Sequence, residues 1–433
     1  MPQFVVSLIT ILVVLNVMLL GVTYAILLER KISAWIQNRI GPNRVGFSFG
    51  ILPFKGSHFG LGQALADGLK MLLKEDYTPP HVQKGLFLLA PVLAVVPALI
   101  VWAIVPWGGY LVCDGFTWWS WLPFVGGTQV APFAASVAAA PISIGIVYPL
   151  AIGSLAVYGV VVAGYSSNNK YAFLGGLRAT AQMLSYEIPM GLGILTILLM
   201  AGTMRADLVV NMQAQHTWFV FQQPLLAVIF FVCMLAETNR APFDLAECEQ
   251  ELVGGFHTEY SSMKFGLLAL SEYIHVLAGS AFFALLFLGG WDIVPFVSEL
   301  PLAGGIGLVL LKAIVFAVKV FLLVSVVMWV RWTLPRFRFD QLMKLAWRGL
   351  IPVSLALMML AGLIRALQPE GVSTQAWNWL MLPANVLVFF GAMVIAPLLP
   401  KGPPVNRRVE LEGSRFSPPT PALNAPRVAP AQA

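Results

Sequence analysis

Acidic side chains concentrate in residues 237–260, a stretch between two apolar runs that are each long enough to cross a membrane. Against one arginine, Arg240, the stretch holds Glu237, Asp244, Glu247, Glu249, Glu251 and Glu259. Burying an unpaired charge beside lipid is costly, so such a group is paired or takes up a proton. The close spacing of the three central glutamates favours proton sharing as a coupled set. The stretch therefore predicts proton handling, and a solvated acidic loop is the alternative.

Further ionisable residues fall inside apolar runs, where a charge indicates a functional site by default. They are Glu187, Glu272, His275, Lys312 and Lys319. Glu187 precedes a short apolar run, so its helix should begin earlier and carry the carboxylate below the membrane surface. His275 follows Glu272 by one helical turn, and the two lysines share a helix face. The alternative is a structural ion pair between Glu272 and one of the lysines.

The composition indicates which elements position these groups. Of 433 residues, 58% are hydrophobic and 11% are charged, against roughly 25% charged in soluble domains. This predicts an all-α integral membrane protein with about nine transmembrane helices in residues 1–399, followed by a disordered, proline-rich tail in 400–433. The predicted spans are about 4–28, 85–106, 134–163, 180–203, 218–237, 263–289, 303–331, 348–366 and 376–398.

Basic residues outside the spans lie almost entirely in one set of alternate loops. The positive-inside rule then puts the N-terminus outside, and the large loops and C-terminus in the cytoplasm. The acidic stretch consequently lies on the cytoplasmic face, where a soluble partner would explain its charge.

Residues 61–75 have the pattern of an amphipathic helix. Gln63, Asp67, Lys70 and Lys74 share one face and leucines occupy the other, which predicts a helix along the membrane surface. An ordinary interfacial helix that only covers a neighbour is the alternative.

The sequence shows no pattern for a redox group of its own. Cys113, Cys233 and Cys248 lack CxxC spacing, and His275 is the sole histidine within a predicted span. We therefore expect no metal, flavin, haem or iron–sulfur cluster in this chain, and we assign any electron chemistry to a partner.

Four segments together resemble the H subunit of the proton-pumping NADH:quinone oxidoreductases, the complex I core subunit 1 family. They are residues 29–46, 63–75, 237–266 and 331–347, in the same order. The resemblance implies a non-redox subunit of a proton-translocating enzyme in the bacterial inner membrane. It also implies, as partners, the quinone-module and iron–sulfur subunits of the hydrophilic arm and small membrane subunits that lead to antiporter-like pumping subunits.

The resemblance also implies site residues. The first and sixth helices and the surface helix would admit quinone, a substrate bound together with neighbouring subunits. The tunnel residues would be Arg30, Arg39, Asp67 and Arg336. The proton-coupling residues would be Glu187, Glu237, Asp244, Glu247, Glu249, Glu251 and Glu272, with His275, Lys312 and Lys319 as intramembrane charge partners.

Two departures from the family and two other functions remain open. This chain adds a ninth helix with its tail, and residues 47–62 are longer than usual. The equivalent subunit of a membrane-bound hydrogenase would need no quinone. A stand-alone proton or ion transporter is the other alternative, and the lack of inverted repeats argues against it.

Overall fold

The structure, a computed structural model, describes most of the chain as helices. The described residues are 2–46, 60–113, 116–118, 128–130, 132–246, 249–293, 303–369 and 374–395. Most of the longer loop 47–62, Glu247, Cys248 and the predicted tail 400–433 lie outside them.

Within these ranges, eight helical segments are long and apolar enough to cross a membrane, which confirms an all-α integral membrane protein. The segments are α1 (Pro2–Ile36), α3 (Lys84–Val101), α4 (Tyr148–Ser166), α5 (Lys170–Ala201), α10 (Ser262–Phe287), α11 (Ile306–Thr333), α12–α13 (Phe339–Lys344 and Ile351–Ala366, joined by a π-helical turn) and α14–α15 (Thr374–Asn378 and Met381–Ile395). Shorter helices are α2 (Gln63–Leu73), α6 (Ala206–Gln215), α7 (Phe219–Gln222), α8 (Pro224–Glu237) and α9 (Glu249–Leu252). Residues up to Phe390 form one compact unit, and residues 391–395 of α15 belong to a second.

The predicted span 218–237 is broken in the structure. Helix α8 covers only about 21 Å at 1.5 Å per residue, less than the roughly 30 Å of a bilayer core. Gln213 joins the preceding turns to the bundle: its Nε2 donates to Leu285 O at 2.9 Å, and its Oε1 accepts from the N–H groups of Phe219 and Gly289. Buried amides thus satisfy backbone groups that a broken helix leaves exposed.

The predicted span 134–163 is wrong over its first fourteen residues. Residues Phe133–Ser136 form a strand, β4, that pairs antiparallel with β1 (Tyr110–Cys113), and β1 also pairs in parallel with β5 (Ala303–Gly304). A second pair is β2 (Phe116–Trp118) with β3 (Thr128–Val130). Helix α4 begins only at Tyr148, because Pro149 fits the first helical turn and the preceding Pro141 cannot donate a helical hydrogen bond.

Helix α5 begins ten residues before the predicted 180. The Asn169 side chain caps it by accepting from the N–H of Tyr171 at 3.0 Å. The earlier start places Glu187 in the interior of the helix, as the short apolar run predicts. Helices α5 and α10 are the most deeply buried of the spans, whereas α1 and α11 expose many large apolar side chains.

Candidate functional site

A network of buried charges connects α1, α10, α11 and the loop after α8. Arg240 in the loop lies between two carboxylates, 3.7 Å from Glu29 of α1 and 3.6 Å from Glu272 of α10. Glu29 also pairs with Arg331 of α11 and accepts a 2.7 Å hydrogen bond from the Tyr273 hydroxyl. The Arg240 guanidinium stacks 4.2 Å above the Tyr273 ring. Two arginines and two glutamates thus balance each other where isolated charges would be very costly.

One buried amide holds the loop that carries Arg240. The Gln182 side chain of α5 donates to Ala236 O at 2.8 Å, Asn239 Oδ1 at 3.1 Å and Phe243 O at 2.7 Å. Asn239 itself adopts a left-handed conformation with a φ of 49°. The tether fixes the loop backbone, and with it the position of the Arg240 side chain relative to the two carboxylates.

The acidic stretch is less repulsive than its sequence indicates, because bases from other elements pair with it. Asp244 is buried and lies 3.2 Å from Arg336, and Glu251 lies 2.5 Å from Arg178. Asn169 donates to Glu259 at 2.8 Å. Glu247 and the side chain of Glu249 lie outside what the structure describes, so proton sharing among the three central glutamates remains a prediction.

Small cavities connect the remaining intramembrane ionisable groups. Glu272, His275 and Glu237 line a cavity of about 20 Å³, and His275 and Glu237 also line a second cavity of about 50 Å³. Polar cavities of this size can hold at least one water molecule. The structure therefore brings together three residues that the sequence places on two different helices.

Glu187 of α5 continues this row. Its carboxylate accepts a hydrogen bond from Ser154 of α4. A Cβ atom at the adjacent Gly153 would lie 3.5 Å from Glu237 Oε1, so the Gly153–Ser154 segment contacts Glu237 on one residue and Glu187 on the next. A row of ionisable side chains thus runs from Glu29 to Glu187 through the bundle.

The predicted tunnel residues fall into two ion pairs and one exposed residue. Arg30 of α1 lies 2.7 Å from Asp67 of α2, and Arg336 pairs with Asp244 of the acidic stretch. Arg39 follows α1 with an exposed side chain, and the structure places it in neither pair. Helix α2 contacts both α1 and α10, and its leucines are exposed, as a surface helix requires.

The expected pairing of Glu272 with a lysine is wrong. Glu272 pairs with Arg240, whereas both lysines lie at the other end of α10. Lys319 donates to Leu288 O at 2.5 Å and to Asp292 O, and its Nζ lies 4.1 Å from the Trp218 ring centre. Lys312 is fully buried, with its Nζ 5.5 Å from the Trp291 ring centre. The lysines share a face, as predicted, and that face closes the end of α10.

We expect Lys319→Met to lower the thermal stability of the assembled protein without a specific loss of activity. The substitution removes the donor to two carbonyl groups, and a lost buried hydrogen bond costs about 1–3 kcal/mol. Thermal denaturation of membrane extracts measures this effect, with Lys264→Met, which loses a more exposed ion pair to Asp76, as the control. Normal stability with lost proton translocation would instead indicate a functional lysine.

Sequence reasoning missed a second polar cluster, which joins β1 to α6. The Tyr110 hydroxyl donates to Asp207 at 2.9 Å, and Arg205 pairs with Asp207 at 2.8 Å and also contacts the hydroxyl. Burial raises the pKa of Tyr110, and the hydrogen bond to Asp207 raises the pKa of Arg205. The cluster keeps its charge pair at neutral pH and fastens the strands to the helix.

Glu29, Arg331, Tyr273 and Gln182 were also missed as site residues. Glu29 and Arg331 stand at the ends of apolar runs, where sequence alone assigns charges to the loops. The signal that could have found them is helix length, since α1 continues to Ile36 and α11 to Thr333. Among the described residues, no group of three or more His, Cys, Asp or Glu is arranged to hold a metal ion.

Apolar helices that enclose a row of paired and cavity-lining charges define a multi-pass integral membrane protein with an ionisable interior. Residues 9–362 match the family model described as NADH dehydrogenase. The chain therefore belongs to the NADH dehydrogenase family, which confirms the resemblance.

Curated relatives cover most of the chain. The H subunit of NADH-quinone oxidoreductase from Leptospira biflexa is 45% identical over 82% of this chain and 93% of its own length. The H subunit numbered 1 of the same oxidoreductase in Cytophaga hutchinsonii is 42% identical over 81% of this chain and 93% of its own. The corresponding H subunit of Geobacillus kaustophilus is 42% identical over 81% and 92%. The matches span almost the whole length of each relative.

Proposed function

We propose that this chain is a membrane subunit of a proton-translocating NADH:quinone oxidoreductase, where it admits quinone and couples quinone reduction to proton movement. The row of ionisable residues from Glu29 through Arg240, Glu272, His275 and Glu237 to Glu187 carries this proposal. Family membership and the names of the relatives support the choice of enzyme. The chain then works as one subunit of a translocase, with quinone as the substrate and the electron carriers in its partners.

Arg240 is the element that can transmit a change of charge. Its distances of 3.7 and 3.6 Å to Glu29 and Glu272 exceed the roughly 2.7–2.9 Å of a tight charge-assisted hydrogen bond. One guanidinium is therefore shared between two carboxylates. Proton uptake at Glu29 would leave Arg240 to Glu272, and proton uptake at Glu272 would do the reverse.

Two ion pairs connect this network to the proposed quinone tunnel. Arg30 follows Glu29 directly and binds Asp67 of α2, so a quinone that enters between α1, α2 and α10 passes beside the network. Asp244 and Arg336 lie in the acidic stretch and the segment after α11. Quinone reduction consumes protons, and we infer that the resulting local charge change shifts Arg240 and then the carboxylates toward Glu187.

The proposal includes orientation and partners. The acidic stretch, Arg30 and Arg336 would lie on the cytoplasmic side of the bacterial inner membrane, with the N-terminus outside. The iron–sulfur and quinone-module subunits would dock on this face. The small membrane subunits that lead to the pumps would contact the bundle near Glu187.

The direct test is purification of the protein in native membranes. Co-purification with iron–sulfur subunits and NADH:quinone activity that is lost on deletion and restored by the wild-type chain is the expected result. A nickel–iron partner without quinone activity would identify the hydrogenase-type protein instead. Proton transport by the isolated chain would identify a stand-alone transporter.

We expect Ser262→Ala to affect quinones with long tails more than short ones. The Ser262 hydroxyl lies 2.8 Å from Met71 O and 2.9 Å from Lys74 O, so it anchors the end of α2 on α10 at the tunnel rim. One hydrogen bond of about 1 kcal/mol predicts a rise in KM of about fivefold for the long-tailed substrate. Steady-state kinetics with both substrates measures the difference.

Ser280→Ala is the matched control for this prediction, because Ser280 lies on the same helix and its hydroxyl bonds only to Val276 O of that helix among the described contacts. Equal changes with long and short quinones in Ser262→Ala would contradict a tunnel at this position.

A further inference from the structure

An open apolar groove of about 420 Å³ separates α1 from α11 along part of their length. Trp102 and Leu277 contribute to its floor. The main side chains of its two walls are Val17, Gly21, Tyr24 and Leu28 of α1, and Ile314 and Phe321 of α11. The groove is distinct from the small cavities around His275 and from the contacts of α2.

Small residues create the groove. A Cβ atom at Gly21 would lie 3.2 Å from Leu277 Cδ2, so glycine lets α1 pack closely on α10. Ala317 faces the groove from α11 where a larger side chain would fill it. Val17 and Ile314 on the rim are 48% and 60% exposed, so the groove is open to its surroundings.

The position and length of the groove indicate its occupant. All the wall residues lie within spans, so the surroundings are the hydrocarbon of the bilayer. Along α1 the lining runs from Val17 to Leu28, about 17 Å at 1.5 Å per residue. One leaflet supplies about 15 Å of the roughly 30 Å hydrocarbon core. The groove therefore matches one hydrocarbon chain of a single leaflet.

The charge at one end of the groove indicates a head group. Beyond Leu28, α1 continues with Arg30 and Lys31, and Arg331 of α11 lies beside Glu29. Three basic residues at this end face the two carboxylates of Glu29 and Asp67, so the end is net basic. Basic groups next to a span attract the anionic phosphate of lipids.

We propose that this groove is a phospholipid site, with one acyl chain between α1 and α11 and the phosphate at the basic end formed by Arg30, Lys31 and Arg331. The bound chain supplies the packing that α11 does not provide against α1. The proposal does not depend on the quinone function, since it rests on the shape and charge of the membrane-facing surface.

Photo-crosslinking in the intact complex tests the site. The purified complex is placed in nanodiscs with phosphatidylglycerol that carries a diazirine near the end of one acyl chain, and labelled peptides are mapped by mass spectrometry. We expect labels on Val17 and Ile314, at the end of the groove far from the basic residues. No label in the groove of the wild-type complex would overturn the proposal and would indicate that another protein covers it.

Ala317→Phe fills the groove and is the test variant, with Ala317→Leu as the milder replacement if the first does not assemble. We expect groove labelling to fall at least about fivefold. Leu322→Phe is the control, because Leu322 is exposed on the same helix but does not line the groove. Unchanged labelling in Ala317→Phe and Ala317→Leu would indicate lipid that merely surrounds the protein and would overturn the proposal.

A competition experiment distinguishes a phospholipid from a quinone tail, which has similar chemistry. Excess long-tailed quinone should leave the groove label unchanged. Loss of the label would assign the groove to the quinone and would overturn the phospholipid proposal, whereas NADH:quinone activity in the same sample would report on the enzyme itself.

Discussion

Replacement of Arg240 by glutamine is expected to lower NADH:quinone activity of the assembled complex by tenfold or more. Arg240 is the cation shared by Glu29 and Glu272, and both carboxylates are largely buried. At about 4 Å, two unit charges interact with about 4 kcal/mol at an effective dielectric constant of 20. The substitution therefore removes an interaction large enough to change which carboxylate holds a proton.

A loss of assembly must be separated from a loss of coupling in this variant. Breaking a buried ion pair on one side costs about 3–5 kcal/mol, so activity is measured per assembled complex. The double variant Arg240→Gln with Glu272→Gln removes one uncompensated carboxylate and should recover assembly without recovering activity. Recovery of both would show that Arg240 is only structural.

Arg178→Gln is the matched control for Arg240→Gln. Arg178 pairs with Glu251, which is half exposed, and exposed pairs contribute about 0–1 kcal/mol. We expect nearly normal assembly and activity in this variant. An equal loss in both variants would contradict a special role for the buried network.

Replacement of Glu237 by glutamine is expected to have the second large effect. Glu237 lines both small cavities beside His275 and approaches Gly153, next to the Ser154 that binds Glu187. Glutamine keeps the volume but cannot exchange a proton as a carboxyl does, and groups that transfer protons typically contribute about 10²–10⁴-fold in rate. We expect coupled quinone reduction to fall by at least tenfold, and Glu237→Asp to retain part of it.

Asp340→Asn is the control for Glu237→Gln. Asp340 pairs with Arg338 and Lys344 at an exposed site away from the cavities. We expect full activity in this variant. Full activity in Glu237→Gln as well would remove Glu237 from the proposed path.

Much of the fold was predictable because long apolar runs leave few choices other than a membrane helix. The same signal failed in residues 134–147, which are apolar but contain Pro141 and pair as a strand with Tyr110–Cys113. Strand pairing depends on a partner remote in sequence, and apolar composition does not indicate it. The break at Gln223 within the predicted span 218–237 also depends on buried amides from other helices.

The candidate site was predictable in its residue types but not in its pairing. Glu187, Glu237 and Glu272 were predicted because carboxylates are rare in spans, and the structure arranges them in one row. The partner of Glu272 was not predictable, because Arg240 reaches it from a loop that Gln182 tethers to α5. Periodicity assigns residues to helix faces, whereas an ion pair between helices depends on how those helices pack.

The most direct measurement is the number of protons translocated per quinone reduced, determined in proteoliposomes with a pH-sensitive dye for the wild type, Glu187→Gln and Glu237→Gln. Residual quinone reduction in the variants permits the ratio to be measured even when the rate is low. A proton path through these carboxylates predicts that the ratio falls in both variants and stays at the wild-type value in Asp340→Asn. A wild-type ratio in both Glu187→Gln and Glu237→Gln would contradict it.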